Sequence, residues 1–209
     1  MDYATCIAGL GNPGKEYRDT RHNLGFAALD ALIAEYARAG QVEQLAGGRF
    51  KCELWRCRMP GSGSWHLLAK PMTYMNLSGE ALQSLLHWHR MNARQLLVTH
   101  DELDFKPGTV RFKFGGGAAG HNGLASIIRQ LGTQDFYRLR IGIGRIAGSD
   151  AAQWVLARPS PNERPLLDKA LHTALRCMLF FAEQGPDAAM SFIRDLPPDS
   201  GNAHLSPSP

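Results

Sequence analysis

Six short apolar runs punctuate this 209-residue chain: Tyr3 to Ala8, Phe50 to Met59, Trp65 to Ala69, Leu96 to His100, Thr109 to Phe114 and Tyr137 to Ile143. Each is bounded by Gly, Pro or polar residues, as β-strands are. Helical periodicity fills the intervals. Leu24, Ala27, Ala28, Ala31 and Leu32 mark one apolar helix face, and Leu82, Leu85, Leu86 and His89 mark another. Further helices are predicted over Leu124 to Leu131, Ala151 to Leu156 and Glu163 to Gln184. The alternation constrains the chain to an α/β fold with helices on both faces of a sheet. Phe50 to Met59 and Trp65 to Ala69, joined by Pro60-Gly61-Ser62-Gly63, read as a hairpin, so the twisted sheet is predicted to be mixed.

With 44% hydrophobic and 20% charged residues the chain has the composition of one soluble globular domain, assigned here to residues 1–195. From Leu196 onward Pro197, Pro198, Pro207 and Pro209 stand among small polar residues, and residues 196–209 read as a flexible tail. No charged leader with an apolar core opens the chain, and no run approaches the roughly 18 apolar residues of a membrane span, so a cytoplasmic protein is expected. Cys6, Cys52, Cys57 and Cys177 form no C-x-x-C pair, which argues against a disulfide scaffold or structural zinc site. The formal charge of +4 permits a polyanionic partner without requiring one.

The first strand ends in Gly9-Leu10-Gly11-Asn12-Pro13-Gly14. Its glycines match the spacing of a dinucleotide fingerprint, yet Pro13 and the polar stretch Lys15 to Thr20 delay the next helix, and the spaced acid Asp30 falls inside it. A sharp turn bringing backbone close to something fits better. His22 lies at the start of that helix, and Asp101 follows the strand at Leu96 to Thr99. Two strand ends in one sheet can bring an imidazole and a carboxylate together, the aspartate fixing the tautomer and leaving the other nitrogen as a base. The alternative is a capping histidine and a loop aspartate that never meet. His100, Glu102 and Asp104 raise a metal cluster as a third possibility, without a partner set elsewhere.

No serine sits in a nucleophile elbow and Cys6 lies in an apolar strand, so water is the natural nucleophile. Asn12, Asn76 and Asn122 supply amides able to donate to an oxyanion or accept a substrate N–H. Asn76 and Asn122 can equally be helix caps. Gly115 to Gly123 can cradle phosphate at a helix N-terminus, form a mobile lid or simply connect. His121 within it either bonds locally or touches substrate. In Val110-Arg111-Phe112-Lys113-Phe114 and Tyr137-Arg138-Leu139-Arg140-Ile141 cations alternate with apolar residues, which places a basic strip on one sheet face, suited to phosphates or simply solvated.

Gly11-Asn12-Pro13-Gly14-Lys15-Glu16-Tyr17, Thr20-Arg21-His22-Asn23, Lys70 to Gly79, His100-Asp101-Glu102-Leu103-Asp104, Gly120-His121-Asn122-Gly123-Leu124 and Phe136 to Gly144 together resemble bacterial peptidyl-tRNA hydrolase, from the first strand to about Gln184. The resemblance implies a monomeric α/β globule that cleaves the ester between a peptide and the terminal ribose of tRNA, without metal, cofactor or obligate protein partner. It implies His22 as base, Asp101 as its orienting partner, and Asn12 as the residue that helps tell peptidyl from aminoacyl esters. Tyr17, Tyr74, Asn76, His121 and Asn122 are then expected to line the substrate site, and Lys113 and Arg140 to meet tRNA phosphates. Ala118-Ala119 and Tyr74 depart from the family's usual His-Gly and Phe. A nicotinamide oxidoreductase and a non-catalytic RNA-binding module are the competing classes.

Overall fold

The computed structural model describes residues 2–58, 63–145, 148 and 150–197. Among these residues seven strands form one sheet: β1 (Tyr3–Gly9), β2 (Val42–Leu45), β3 (Cys52–Arg58), β4 (Trp65–Pro71), β5 (Leu96–Glu102), β6 (Val110–Phe114) and β7 (Tyr137–Gly142). Their order is β2-β3-β4-β1-β5-β7-β6. The central four run parallel, while β2, β3 and β6 pair antiparallel at the edges. This is the mixed sheet expected. β5 is buried along its whole length and β1 nearly so, as parallel strands covered on both faces must be.

Six α-helices are found among the described residues: α1 (Leu24–Arg38), α2 (Ser78–Trp88), α3 (Asn122–Leu131), α4 (Ala151–Leu156), α5 (Arg164–Gln184) and α6 (Pro186–Arg194). Leu29 and Leu32 of α1, Ala170 and Cys177 of α5 and Ile193 of α6 fill one apolar layer; Leu82 and Leu85 of α2 and Leu124 and Ile127 of α3 fill the other. Cys57 belongs to the first layer and Cys52 to the second, as their odd spacing on β3 dictates. The chain leaves β1 over the α1 face and β4 over the α2 face, so a crevice opens at the carboxyl ends of these strands.

Several boundaries differ from expectation. Phe50 closes a 3₁₀ turn and Lys51 turns left-handed at φ 53°, so β3 starts at Cys52. β5 runs on to Glu102 and carries Asp101 within the strand. β2 is a short, partly exposed edge strand with little apolar pattern. α6 was not foreseen from the sequence: after Gly185 at φ 90° its first residue, Pro186, restarts a helix that buries Ala189 and Ile193. Leu196 packs on the core; the hairpin turn at 59–62 and the tail from Pro198 lie outside the described residues.

Two glycines decide how α1 meets the sheet. A Cβ on Gly25 would come within 2.4 Å of both Leu10 N and Thr99 O, and one on Gly9 within 2.3 Å of Gly25 O. Without those atoms the first turn of α1 lies directly on the ends of β1 and β5. Phe26 N donates to Leu10 O at 3.0 Å, and Leu10 N to Thr99 O at 3.0 Å. The residues just before α1 are thereby held against the end of β5.

His66 on β4 is fully buried, its Nδ1 2.8 Å from Thr5 Oγ1, and burial lowers its pKa to about 4. The folded state therefore holds it neutral, while the unfolded chain protonates it below about pH 6.5. Its contribution is complete above that pH and is lost as acid is added, until the folded ring titrates near pH 4. Wild-type stability from urea unfolding is expected to fall between pH 7.5 and pH 5, with roughly 2 kcal/mol of the fall assigned to His66. A His66→Gln variant should show a correspondingly shallower fall; an unchanged slope would contradict the assignment.

Candidate active site

Arg21, His22 and Asn23 form one 3₁₀ turn immediately before α1, and all three are buried. His22 Nδ1 stands 2.9 Å from Asp101 Oδ1 and 3.0 Å from Oδ2. The imidazole and the carboxylate, 79 residues apart in the chain, therefore meet at the strand ends. An ionised carboxylate only accepts, so His22 donates through Nδ1–H and its Nε2 keeps a lone pair. Burial alone would raise the Asp101 pKa, but the charge and hydrogen bonds of His22 and His121 outweigh it and hold the carboxyl well below its usual range.

His121 shares the same carboxylate. Its Nε2 lies 3.1 Å from Asp101 Oδ1, while its Nδ1 accepts from Gly123 N at 3.1 Å and Leu124 N at 3.3 Å. His121 is thus the N-cap of α3, and Asn122 is the first residue of the helix. Of the two readings open for Asn122, the helix cap is thereby excluded. Of those open for the glycine-rich run, the phosphate cradle is disfavoured, because the His121 ring occupies donors a phosphate would need.

His22, Asp101 and His121 also bring one nitrogen or oxygen each within 4.8 Å of one another, a set that could be taken for a metal site. The tautomers argue against it. A metal on His121 Nε2 would push the ring proton onto Nδ1, against two backbone N–H donors. The other suggested cluster is not assembled: His100 Nδ1 is 2.6 Å from Asp101 O, and Glu102 is paired with Arg140.

Asn12 is fixed from two sides. Its N–H donates to Asn23 Oδ1 at 2.8 Å, its carbonyl accepts from Asn23 Nδ2 at 2.9 Å, and its Oδ1 accepts from Met75 N at 2.8 Å. Because Met75 N can only donate, the amide orientation is determined: Oδ1 is engaged and Nδ2 keeps its hydrogens for a ligand. Of the two roles open to this amide, donation is the one its orientation favours. Nothing local in the sequence gives Asn23 this role; its position next to His22 is the available signal.

A cavity of about 320 Å³ opens beside these groups, walled by His22, Asp101, His121 and Asn122 on one side and by Asp150, Ala152 and Val155 on the other. Asn12 borders a second cavity of about 550 Å³ with Asn23, Phe26 and Lys70. Tyr74 and Asn76 are exposed on either side of Met75, and Asn76 gives α2 no side-chain cap. Tyr17 is half-buried in the loop between β1 and α1.

β6 and β7 pair Lys113 with Arg138 and Arg111 with Arg140, so the four cations do share one face. They are not equivalent. Arg140 Nη2 pairs with Glu102 at 2.8 Å and lies over the Phe105 ring, and Glu102 also lines the smaller cavity. Arg138 is buried and donates to the carbonyls of Gly116 and Gly117, so it anchors the glycine-rich loop instead of joining an open strip. Burial and the nearby Arg140 charge lower its pKa to about 10. In that loop Ala119 adopts φ 48°, where glycine would be unstrained.

The β1 turn does not carry a nucleotide fingerprint. Residues 10–23 separate β1 from α1, and Asp30 lies within α1, paired with Lys70.

The peptidyl-tRNA hydrolase family model matches residues 6–200. The chain is 52% identical to a peptidyl-tRNA hydrolase of Desulfovibrio desulfuricans over 91% of this chain and 83% of that protein. It is likewise 52% identical to one of Nitratidesulfovibrio vulgaris, over 95% of this chain and all of that protein. A crystal structure of peptidyl-tRNA hydrolase from Acinetobacter baumannii superposes with a TM-score of 0.84 at 36% identity, covering 95% of this chain and 99% of the other. The chain belongs to the peptidyl-tRNA hydrolase family.

Proposed function

We propose that the chain hydrolyses the ester joining a peptide to tRNA, with His22 as the general base. The observation that carries this reading is the buried contact of His22 Nδ1 with Asp101 at 2.9 Å beside an accessible cavity. Asp101 holds the ring with Nε2 unprotonated. Nε2 takes a proton from water, the resulting hydroxide attacks the ester carbonyl, and Asp101 stabilises the imidazolium that forms. The proton then passes to the departing ribose oxygen. An ester releases a better leaving group than an amide does, so one base and an oxyanion donor suffice.

Asn12 Nδ2 and Asn122 are the amides available to the substrate. With its Oδ1 engaged by Met75 N, Asn12 presents N–H donors. These suit the acyl carbonyl on the α-nitrogen of a peptidyl ester. A free aminoacyl ester lacks that carbonyl and brings an ammonium donor instead, which the same N–H groups repel. A site built to pair a particular group rejects the analogue without it.

Lys113 and Arg140 reach the tRNA backbone from the cation face next to Glu102, while Tyr17, Tyr74, Asn76 and His121 complete the surroundings of the acceptor end and peptide. His121 acts through Asp101 and the α3 cap more than by direct contact. The same reading has the protein act as a monomer in the cytoplasm, without metal or cofactor. No helix among the described residues is long and apolar enough to cross a membrane.

Incubation with N-acetyl-aminoacyl-tRNA should release free tRNA. His22→Ala is expected to lower kcat by roughly 10²–10⁴-fold with binding of tRNA retained; near wild-type kcat would reject the role. Asn12→Asp keeps an acceptor for Met75 N but replaces the amide N–H₂ with a carboxylate oxygen. Its ratio of peptidyl to aminoacyl cleavage should fall by roughly tenfold or more, and an unchanged ratio would remove Asn12 from the discrimination.

A further inference from the structure

Arg21, the neighbour of His22, is 3% exposed yet carries the largest set of side-chain hydrogen bonds in its region. Nη2 donates to Glu163 Oε2 at 2.8 Å and Oε1 at 3.1 Å, and Nε donates to Oε1 at 3.3 Å. Nη1 donates to Trp154 O at 3.2 Å and Ala157 O at 3.3 Å. The guanidinium carbon also lies over the Trp154 ring, 3.7 Å from its centroid. Its backbone N–H adds a bond to Ala157 O at 3.1 Å.

Trp154 and Ala157 belong to α4 and its exit, and Glu163 stands immediately before α5, so Arg21 ties its own turn to both. α4 has six residues, none of them buried, so the hydrophobic core does not fix its place; only Trp154 and Val155 touch the core's margin. A helix this short leaves most of its C-terminal carbonyls without internal partners, and a cation there is favourable. Arg21 supplies both the donors and the charge, while Trp154 Nε1 ties the segment to Gly144 O at 2.8 Å, just beyond β7. The opposite side of the same segment, at Asp150, Ala152 and Val155, walls the cavity facing His22.

We propose that Arg21 is a positioning residue: it clamps the α4 wall to the turn that carries His22 and so fixes the width of the substrate cavity. The proposal rests on the hydrolase reading for its kinetic consequence alone. His22 has its own restraints in Asp101 and in the Asn12–Asn23 pairing, so loosening Arg21 should disturb substrate placement more than the base. Lysine cannot replace the fork, because one ammonium cannot serve a carboxylate and two carbonyls in these directions.

The test uses Arg21→Lys and Glu163→Gln in the full chain, with KM, kcat, the pH dependence of kcat and hydrogen exchange of residues 151–157 as readouts. Arg21→Lys is expected to raise KM for N-acetyl-aminoacyl-tRNA roughly tenfold with kcat within about threefold and its pH dependence unmoved. Amides of 151–157 should exchange roughly tenfold faster or more, with β5 unchanged. Glu163→Gln, which keeps an acceptor for the guanidinium and removes the charge, should show the same pattern at smaller amplitude. Unchanged KM, or unchanged exchange at 151–157, would overturn the clamp, as would a loss confined to kcat with a shifted pH profile. If the wild-type protein released no tRNA, the hydrolase reading would fail, while the exchange data would still decide whether Arg21 holds α4.

Discussion

Gly25 presses its backbone against Leu10 and Thr99 where any side chain at that position would collide. The site follows from this contact, because it sets the preceding 3₁₀ turn at the end of β5, where His22 meets Asp101. Asp101 is reached along the same strand two residues beyond Thr99, on the same face of the pleat. A methyl group inserted there would have to separate helix from sheet by an ångström or more, far beyond what a hydrogen bond tolerates. The dyad is thus a product of backbone packing as much as of its own chemistry.

Around that contact the side chains of Asp101, Asn23 and Asn12 have defined roles as donor or acceptor. Asp101 receives two imidazole N–H groups, Asn23 brackets the Asn12 peptide unit, and Met75 N fixes the Asn12 amide. A buried carboxylate is costly unless charge and hydrogen bonds compensate it, and two rings do so here. Their tautomers differ. His22 carries its proton on Nδ1 and His121 on Nε2, so only His22 can offer a free ring nitrogen to water; both ring nitrogens of His121 are already engaged.

Much of this was legible in the chain. Strong apolar runs at Tyr3 to Ala8 and Leu96 to His100 identified the two central strands, and residues placed just past such strands are where α/β sheets collect their chemistry, which is why His22 and Asp101 stood out. What could not be read depended on long-range contacts. Arg138 alternates correctly with apolar neighbours, and nothing local says that the loop at Gly116 and Gly117 will close over it. Asn122 looks like a cap until the His121 ring is seen to occupy that place. β2 and α6 carry weak patterns and are stabilised by what they pack against. The orientation of the Asn12 amide is set by Met75, 63 residues away.

The central claim is that Asp101 locks His22 with Nδ1 protonated and Nε2 free to accept. Nitrogen NMR of the ring in ¹⁵N-histidine-labelled protein, at a pH where the imidazole is neutral, reads this directly. The account predicts a His22 signal pair characteristic of a single Nδ1–H tautomer that shifts to averaged tautomers in Asp101→Ala. An Nε2–H tautomer for His22 in the wild-type protein, or one insensitive to loss of Asp101, would contradict it.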